Sequence, residues 1–130
     1  MLETGITGCA KTTVTEENTA VVRKSGNLRV FATPAMIELI EEAAWKSVAS
    51  ELDEGCATVG TKLEVSHLAA TPVGMEVTCR TNLREIDGRR LVFEVSVEDE
   101  AGKVGEGVHE RFIVRADSFQ KKADMKREQR

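Results

Sequence analysis

The stretch TPAMIELIEEAAWKSVASEL, residues 33–52, decides the fold because it has the pattern of the only long helix in the chain. Thr33 is a favourable N-cap residue, and Pro34 suits the first helical position, where no backbone N–H is needed. The interior is rich in Ala, Glu, Leu, Met and Lys, which favour helix. At about 100° per residue, one side of this helix is apolar and should face the core: Ile37, Ile40, Ala44 and Val48.

Glu41 breaks this division of the helix into two sides. It follows Ile37 by four residues and precedes Ala44 by three, so it should point into the apolar stripe. A carboxylate there must be paired, hydrogen-bonded or shifted in pKa. The functional interpretation is a catalytic carboxylate, and the alternative is a structural salt bridge or a side chain that reaches solvent.

The composition is that of one soluble globular domain. The chain has 130 residues, of which 41% are hydrophobic and 31% are charged. Its net charge of −4 argues against binding to a phosphate backbone. Only 4% of the residues are aromatic and none is Tyr, which argues against base stacking. We therefore expect no nucleic-acid partner.

The cysteines and the N-terminal residues indicate the compartment. Cys9, Cys56 and Cys79 lie far apart and are odd in number, which argues against a disulfide framework or a cysteine metal site. With only two histidines, a multi-histidine metal site is also poorly supported. The start MLETGITG has no basic region before an apolar run, and no window approaches a membrane span. We expect a cytoplasmic protein without a metal or a membrane association.

The second half of the chain has the alternation of β-strands. Residues 57–68, 75–83, 91–97 and 104–114 form four such runs, with a turn signal at 71–74 and hairpin signals at 87–88 and 101–103. In the last run Val104, Val108, Phe112 and Val114 share one parity, but Glu106 and Glu110 interrupt it, which predicts a bulge or an altered face. The fold class is therefore α+β, an antiparallel sheet wrapped around one long central helix. This domain should span residues 1–116, and residues 117–130 should be a charged C-terminal tail.

His67 lies in the first of these runs and shares its parity with Val59, Leu63 and Val65. It should therefore point toward the helix, while Glu41 points toward the sheet. A Glu and a His in one interface are a candidate acid–base pair. The alternative for His67 is a core histidine that is hydrogen-bonded to backbone.

Three further residues have both a structural and a functional interpretation. Thr33 either only caps the helix or places its hydroxyl, beside the helix N-terminus, where negative charge develops. Gly60 either marks a β-bulge or leaves a backbone N–H free for an oxyanion. Arg111 either binds a phosphate or pairs with Glu106 or Glu110.

Three segments carry a family resemblance: FATPAMIELIEEAA (31–44), VGTKLEVSHLAATPVG (59–74) and GEGVHERFIV (105–114). Over residues 5–115 the chain resembles hot-dog-fold thioesterases, and among them the fluoroacetyl-CoA thioesterase branch. The resemblance implies a hot-dog fold, a homodimer with sites at the subunit interface, and hydrolysis of an acyl-CoA without a cofactor, since CoA is part of the substrate.

The resemblance also implies roles for individual residues. Thr33, Glu41 and His67 match the Thr, Glu and His that act together on the thioester in that branch. Gly60 matches the glycine whose backbone N–H faces the thioester, and Arg111 matches the arginine of the HER motif, so that both are expected to bind substrate. A non-catalytic acyl-CoA-binding module of the same fold is the alternative.

The sequence does not decide which acyl group is hydrolysed or which nucleophile attacks the thioester. The fluoroacetyl enzyme of the branch has a phenylalanine lid shortly before its helix, where this chain has Lys24 and Asn27. We therefore expect a broader, short acyl group. Either Thr33 or a water could attack. Thr33 and Glu41 are separated by about 12 Å along an ideal helix, so the site comes either from a folded-back Thr33 or from two subunits.

Overall fold

The computed structural model describes residues 1–129. Its strands are β1 (Thr7–Thr13), β2 (Cys56–His67), β3 (Glu76–Asp87), β4 (Arg90–Glu98) and β5 (Lys103–Arg115). Its α-helices are α1 (Ala20–Arg23), α2 (Thr33–Val48) and α3 (Ala116–Asp124). Single 3-10 turns lie at Glu16–Asn18, Ala49–Glu51 and Met125–Glu128. No helix among residues 1–129 is long and apolar enough to cross a membrane.

The five strands form one antiparallel sheet in the order β1-β3-β4-β5-β2. Gly88, with φ of +61°, supports the tight connection of β3 to β4. The core joins the inner face of this sheet to seven buried residues of α2: Ala35, Met36, Leu39, Ile40, Ala43, Ala44 and Val48. The predicted α+β architecture, with a sheet around one long helix, is confirmed.

The buried face of α2 is rotated slightly from the predicted stripe. Ile40, Ala44 and Val48 are buried as expected, but Ile37 is only half-buried and Leu39 belongs to the core. The rotation places Glu41 at the border of the buried face, where its side chain is 39% exposed. Glu41 is thus not enclosed in the apolar stripe.

A β-bulge in β2 changes which residues face the helix. The pairing of β2 with β5 shifts register between Gly60 and Lys62. Before the shift Gly60 lies opposite Arg111, and after it His67 lies opposite Gly105. Directly opposed residues of an antiparallel pair share a face, so Gly60 and His67 both face inward although their sequence parity differs.

The altered face predicted for β5 is found over most of the strand. Phe112 is 40% exposed, whereas His109 is 0% and Arg111 is 5% exposed. The inner face carries the odd-numbered residues Gly105, Gly107, His109 and Arg111. His109 and Arg111 satisfy each other's polar groups there, and a Cβ on Gly105 would lie 2.9 Å from the sulfur of Met36. Val104, near the start of the strand, is also buried.

Candidate active site

Thr33 and His67 form the first half of the site. The Oγ1 of Thr33 lies 2.7 Å from the Nδ1 of His67, across 34 residues of sequence. Thr33 is the first residue of α2, and Ala32 occupies the N-cap position without a side-chain cap. The interpretation of Thr33 as only a helix cap is therefore wrong, because its hydroxyl is directed at the imidazole.

The backbone on both sides of this pair is fixed. Before α2, the N–H of Phe31 donates to the carbonyl of Thr71 at 2.9 Å. After β2, the N–H of Leu68 donates to the carbonyl of Val104 at 2.6 Å. The Phe31 ring also meets the His67 ring edge-on, with centroids 6.4 Å apart. The geometry of Thr33 and His67 is thus set by contacts on either side of each residue.

Burial sets the charge state of His67. It lowers the pKa of this imidazole from its ordinary value of 6.5, because the charged form loses hydration, and a backbone hydrogen bond of Ala69 opposes this effect. The ring is therefore mainly neutral at pH 7 and able to accept a proton. Its Nε2 is buried and has no hydrogen-bond partner among residues 1–129. This nitrogen is therefore free to bond a further polar group.

The pair opens into a cleft of about 260 Å³. Residues from α1, from the segment before α2 and from the end of β2 line it together with Thr33. Its lining consists of Ala20, Ser25, Val30, Phe31, Thr33, His67, Leu68, Ala69 and Ala70. The walls contributed by α1 and the following loop are small or β-branched, and the aromatic residue of the lining is Phe31.

Glu41 and Arg111 form the second half of the site. The Nη1 of Arg111 donates to the Oε2 of Glu41 at 3.4 Å. The Nε of Arg111 donates to Thr58 Oγ1 at 2.8 Å, and its Nη2 donates to the Thr58 carbonyl at 3.0 Å. The guanidinium is thus buried and oriented by several acceptors.

The structure corrects the predicted partners of Arg111. Glu106 is paired with Lys103, and Glu110 with Arg90, so neither carboxylate is the partner of Arg111. The default interpretation of an ion pair with Glu106 or Glu110 is therefore wrong. Arg111 faces the helix, and its partner there is Glu41.

Gly60 leaves the space that the Glu41 carboxylate occupies. A Cβ at position 60 would lie 2.6 Å from the Oε2 of Glu41 and 3.3 Å from the Nη1 of Arg111. A real Cβ does not tolerate such a distance, so any other residue would displace the carboxylate. Gly60 also directly precedes the bulge of β2, as one interpretation of the sequence predicted.

A single chain does not bring the two halves together. Among residues 1–129, His67 bonds Thr33 and Glu41 bonds Arg111, and no ion pair or hydrogen bond joins Glu41 to His67. The two α2 residues lie about 12 Å apart along the helix axis. The acid–base pair predicted from the sequence is therefore not formed within one copy.

Comparison with known proteins identifies the fold and the chemistry. A family model described as fluoroacetyl-CoA-specific thioesterase matches residues 14–117. The chain belongs to this thioesterase family. A fluoroacetyl-CoA thioesterase of Streptantibioticus cattleyicolor is 40% identical over 97 residues, which are 75% of this chain and 70% of that protein.

Solved structures of this thioesterase family and its relatives superimpose closely. A structure of the fluoroacetyl-CoA thioesterase FlK matches with a TM-score of 0.91 and 32% identity, over 97% of this chain and 98% of that chain. A thioesterase superfamily member from Thermus thermophilus matches with a TM-score of 0.90 and 27% identity, over 98% of this chain and 94% of that one. The hot-dog fold and a thioester hydrolase activity on acyl-CoA are thereby confirmed.

Sequence reasoning missed two residues of this thioesterase's second half-site. His109 was considered only as a metal ligand, and Thr58 was not singled out. Both face inward only because of the bulge in β2 and the true parity of β5. One sequence feature could have revealed the inward face of β5. Its alternate positions carry two glycines and then two polar residues, and glycine in a strand often marks a place where a helix or another backbone approaches closely: Gly105, Gly107, His109 and Arg111.

Proposed function

We propose that the protein hydrolyses a small acyl-CoA to the free acid and CoA, with Thr33, His67 and Glu41 as the catalytic residues. The observation that carries this proposal is the 2.7 Å contact of Thr33 Oγ1 with His67 Nδ1 inside a cleft. A hydroxyl within hydrogen-bond reach of a neutral imidazole is the arrangement that general-base catalysis requires.

In the proposed reaction His67 accepts a proton at Nδ1 and later returns it to the sulfur of the departing CoA. In one route the proton comes from Thr33, whose oxygen attacks the thioester carbonyl, and water then cleaves the acyl-enzyme. In the other route the proton comes from a water that Thr33 and His67 hold in place. The residues and the overall reaction are the same, and CoA enters as part of the substrate.

Glu41 acts on the far side of the imidazole. When the Thr33 hydroxyl donates to Nδ1, the neutral ring carries its hydrogen on Nε2, which is the buried atom without a partner. A carboxylate at this atom would fix the tautomer and stabilise the imidazolium. Since the Glu41 of the same chain makes no hydrogen bond to His67, we assign this role to Glu41 of a second copy.

The exposed edge of β2 supports such a homodimer. Among the described strands β2 pairs only with β5, so its other edge can pair with a second β2. Gly60 and His67 lie equally far from the point between Leu63 and Glu64. Antiparallel pairing of two β2 strands about that point would set Gly60 of one copy opposite His67 of the other.

The exposed side chains beside this edge are consistent with the same interface. Leu63 in β2 is 37% exposed, and Trp45, one helical turn after Glu41, is 44% exposed. Trp45 therefore lies on the same side of α2 as Glu41. Burial of both side chains by a second copy would remove apolar surface from water next to the shared site.

The developing negative charge of the thioester oxygen needs donors. We propose that the backbone N–H of Gly60 from the second copy supplies one. The N-terminus of α2, which begins at Thr33, adds its partial positive charge. Arg111 then contributes indirectly, by holding Glu41.

A short acyl group suits the cleft. Its volume of about 260 Å³ is below the range of typical drug-sized sites. In the segment before α2 the chain has Lys24 and Asn27 rather than aromatic lid residues. We therefore propose a range of short acyl groups rather than one. The expected cytoplasmic location is part of the same proposal.

The test is hydrolysis by the purified protein of a panel of acyl-CoA thioesters of increasing length, with release of free thiol as the readout. We expect turnover of short chains, with loss of most of the activity in His67→Ala. Ser66→Ala, at the exposed neighbour on the opposite face of β2, is the matched control and should retain activity. Binding of acyl-CoA without hydrolysis would instead favour a non-catalytic module.

A further inference from the structure

His109 is a buried histidine that the proposed reaction does not use. It lies on the inner face of β5 with 0% exposure, and its ring stacks on Phe93 with centroids 6.4 Å apart. It contacts neither the cleft of Thr33 nor the orphaned nitrogen of His67. A fully buried imidazole with no catalytic contact requires a separate explanation.

Both ring nitrogens of His109 have partners of opposite character. Its Nδ1 lies 2.9 Å from the carbonyl oxygen of Lys62, and its Nε2 lies 3.1 Å from the Nη1 of Arg111. A carbonyl only accepts and a guanidinium only donates. The ring must therefore carry its hydrogen on Nδ1 and accept at Nε2, which makes it neutral.

Burial favours the same neutral state, because it lowers the pKa of His109 from its ordinary value. The hydrogen bond to the Lys62 carbonyl and the charges of Glu41 and Glu110 raise this pKa, and the charge of Arg111 lowers it, but burial is the largest effect. A proton on Nε2 would also point at an N–H group of Arg111. Geometry and electrostatics thus agree on one tautomer.

The two partners of His109 are the two features that build the second half-site. Lys62 is the residue at which the register of β2 resumes after the bulge, and the bulge makes Gly60 face the helix. The Nη1 of Arg111 is the same atom that reaches the carboxylate of Glu41. A Cβ on Gly60 would lie 3.3 Å from the Cε1 of His109, so the ring also lies directly against this glycine.

We infer that His109 is a positioning residue of the thioesterase. As a fixed acceptor it aims the guanidinium of Arg111 at Glu41, and as a fixed donor it holds the bulge that presents Gly60. The inference rests on the proposed function, because it assumes that Glu41 and Gly60 serve the reaction of Thr33 and His67. It assigns His109 no contact with the substrate.

Two substitutions separate the two hydrogen bonds of His109. In His109→Asn the amide nitrogen replaces Nδ1, so the bond to Lys62 is kept and the acceptor for Arg111 is lost. In His109→Gln the amide oxygen replaces Nε2, so the acceptor for Arg111 is kept. The two variants have similar polarity, and each keeps one of the two hydrogen bonds of His109.

We expect His109→Asn to lower kcat about ten- to a hundredfold while KM changes less than about threefold, because a misplaced catalytic group costs rate rather than binding. His109→Gln keeps the acceptor that aims Arg111 and loses only the hydrogen bond to the bulge, so its kcat should fall less, by about three- to tenfold. If kcat fell equally in both variants, in proportion to the loss of folded protein, the inference would be overturned. Full activity of His109→Asn where Thr33→Ala and His67→Ala are inactive would also overturn it.

A measurement on the unsubstituted protein judges the inference without reference to hydrolysis. Heteronuclear NMR of the imidazole nitrogens should show His109 with its hydrogen on Nδ1 and no titration across the range of an ordinary histidine. A hydrogen on Nε2, or a titrating ring, would contradict it. If Thr33→Ala and His67→Ala leave hydrolysis intact, the proposed function fails, while the NMR result still decides the tautomer.

Discussion

The hydroxyl of Thr33 lies 2.7 Å from the Nδ1 of His67, at the point where helix α2 begins and strand β2 ends. The first residue of the helix thus directs its hydroxyl at an imidazole, and Ala32 occupies the N-cap position. The same helix holds Glu41 two turns later, in contact with Arg111. One protein copy therefore contains two half-sites, one with Thr33 and His67 and one with Glu41 and Arg111. The proposed reaction requires both half-sites together.

The first prediction concerns the pH dependence of hydrolysis. Burial lowers the pKa of His67 within one copy, and its neutral form is the proposed base. Hydrolysis should therefore be lost as the pH falls through the pKa of His67. The carboxylate proposed to come from the second copy acts against burial and raises this pKa, so the acid limb of kcat/KM should move to lower pH in the residual activity of Glu41→Gln. A pH–rate profile with a short acyl-CoA measures this, and an acid limb that does not move in Glu41→Gln, or that persists in His67→Ala, would contradict it.

The second prediction concerns the space beside Glu41. In Gly60→Ala the new Cβ would approach the Oε2 of Glu41 to 2.6 Å, so the carboxylate must move. We expect kcat to fall about ten- to a hundredfold with the fold retained, as judged by circular dichroism. The double variant Gly60→Ala with Glu41→Ala is the control, because two changes that act through the same carboxylate should not add. Additive losses would show that Gly60 acts elsewhere.

The third prediction concerns stability. Glu41→Gln leaves the buried guanidinium of Arg111, whose side chain is 6% exposed, without its anionic partner. We expect the free energy of unfolding to fall by about 1–2 kcal/mol, a reduced value because the Glu41 side chain is 39% exposed. Thr33→Val, at an exposed position, should change it by less than about 0.5 kcal/mol. Urea unfolding measures both.

A larger loss of unfolding free energy in Thr33→Val than in Glu41→Gln would contradict the third prediction. Both variants should nevertheless lose most of the hydrolysis, since each removes a proposed catalytic group. The pair therefore separates the structural role of Glu41, through Arg111, from its role in the reaction.

The elements that have a regular pattern could be predicted from the sequence. The 3.6-residue period of α2 and the hairpin signal at Asp87-Gly88 reflect local preferences that the fold obeys. Thr33 and His67 were identified as candidates, and the structure places them in contact. These successes depend on patterns that a few neighbouring residues determine.

The faces of β2 and β5 could not be predicted from alternation alone. One extra residue in the bulge after Gly60 reverses the parity of β2, and nothing in the residue types of Gly60 and Lys62 requires that shift. In β5, Glu106 and Glu110 interrupt the alternation, which indicated a bulge or an altered face but not that Arg111 would face inward. Arg111 faces inward because Glu41, His109 and Thr58 together satisfy its charge and its donors, which are contacts between distant parts of the chain.

The partner of Glu41 illustrates the same point for the site. The sequence suggested that Glu41 and His67 would meet, and within one chain each has a different partner. In the proposed site, the arrangement of two copies joins them. Subunit pairing is not encoded in the periodicity of any one segment, so a sequence pattern does not reveal it.

The most direct test of the shared site is complementation between two inactive variants. His67→Ala and Glu41→Ala are co-expressed with different tags, and the mixed dimer is purified through both tags. In the mixed dimer one site has Thr33 and His67 from one copy and Glu41 from the other, all intact. The control combines Thr33→Ala with His67→Ala, which damage the same half-site and leave no intact site.

We predict that the mixed dimer of His67→Ala and Glu41→Ala recovers about half of the kcat of the unsubstituted dimer, because one of its two sites is complete. The control dimer should stay as inactive as its parents. A His67→Ala and Glu41→Ala dimer that shows no recovery would contradict a site shared between copies.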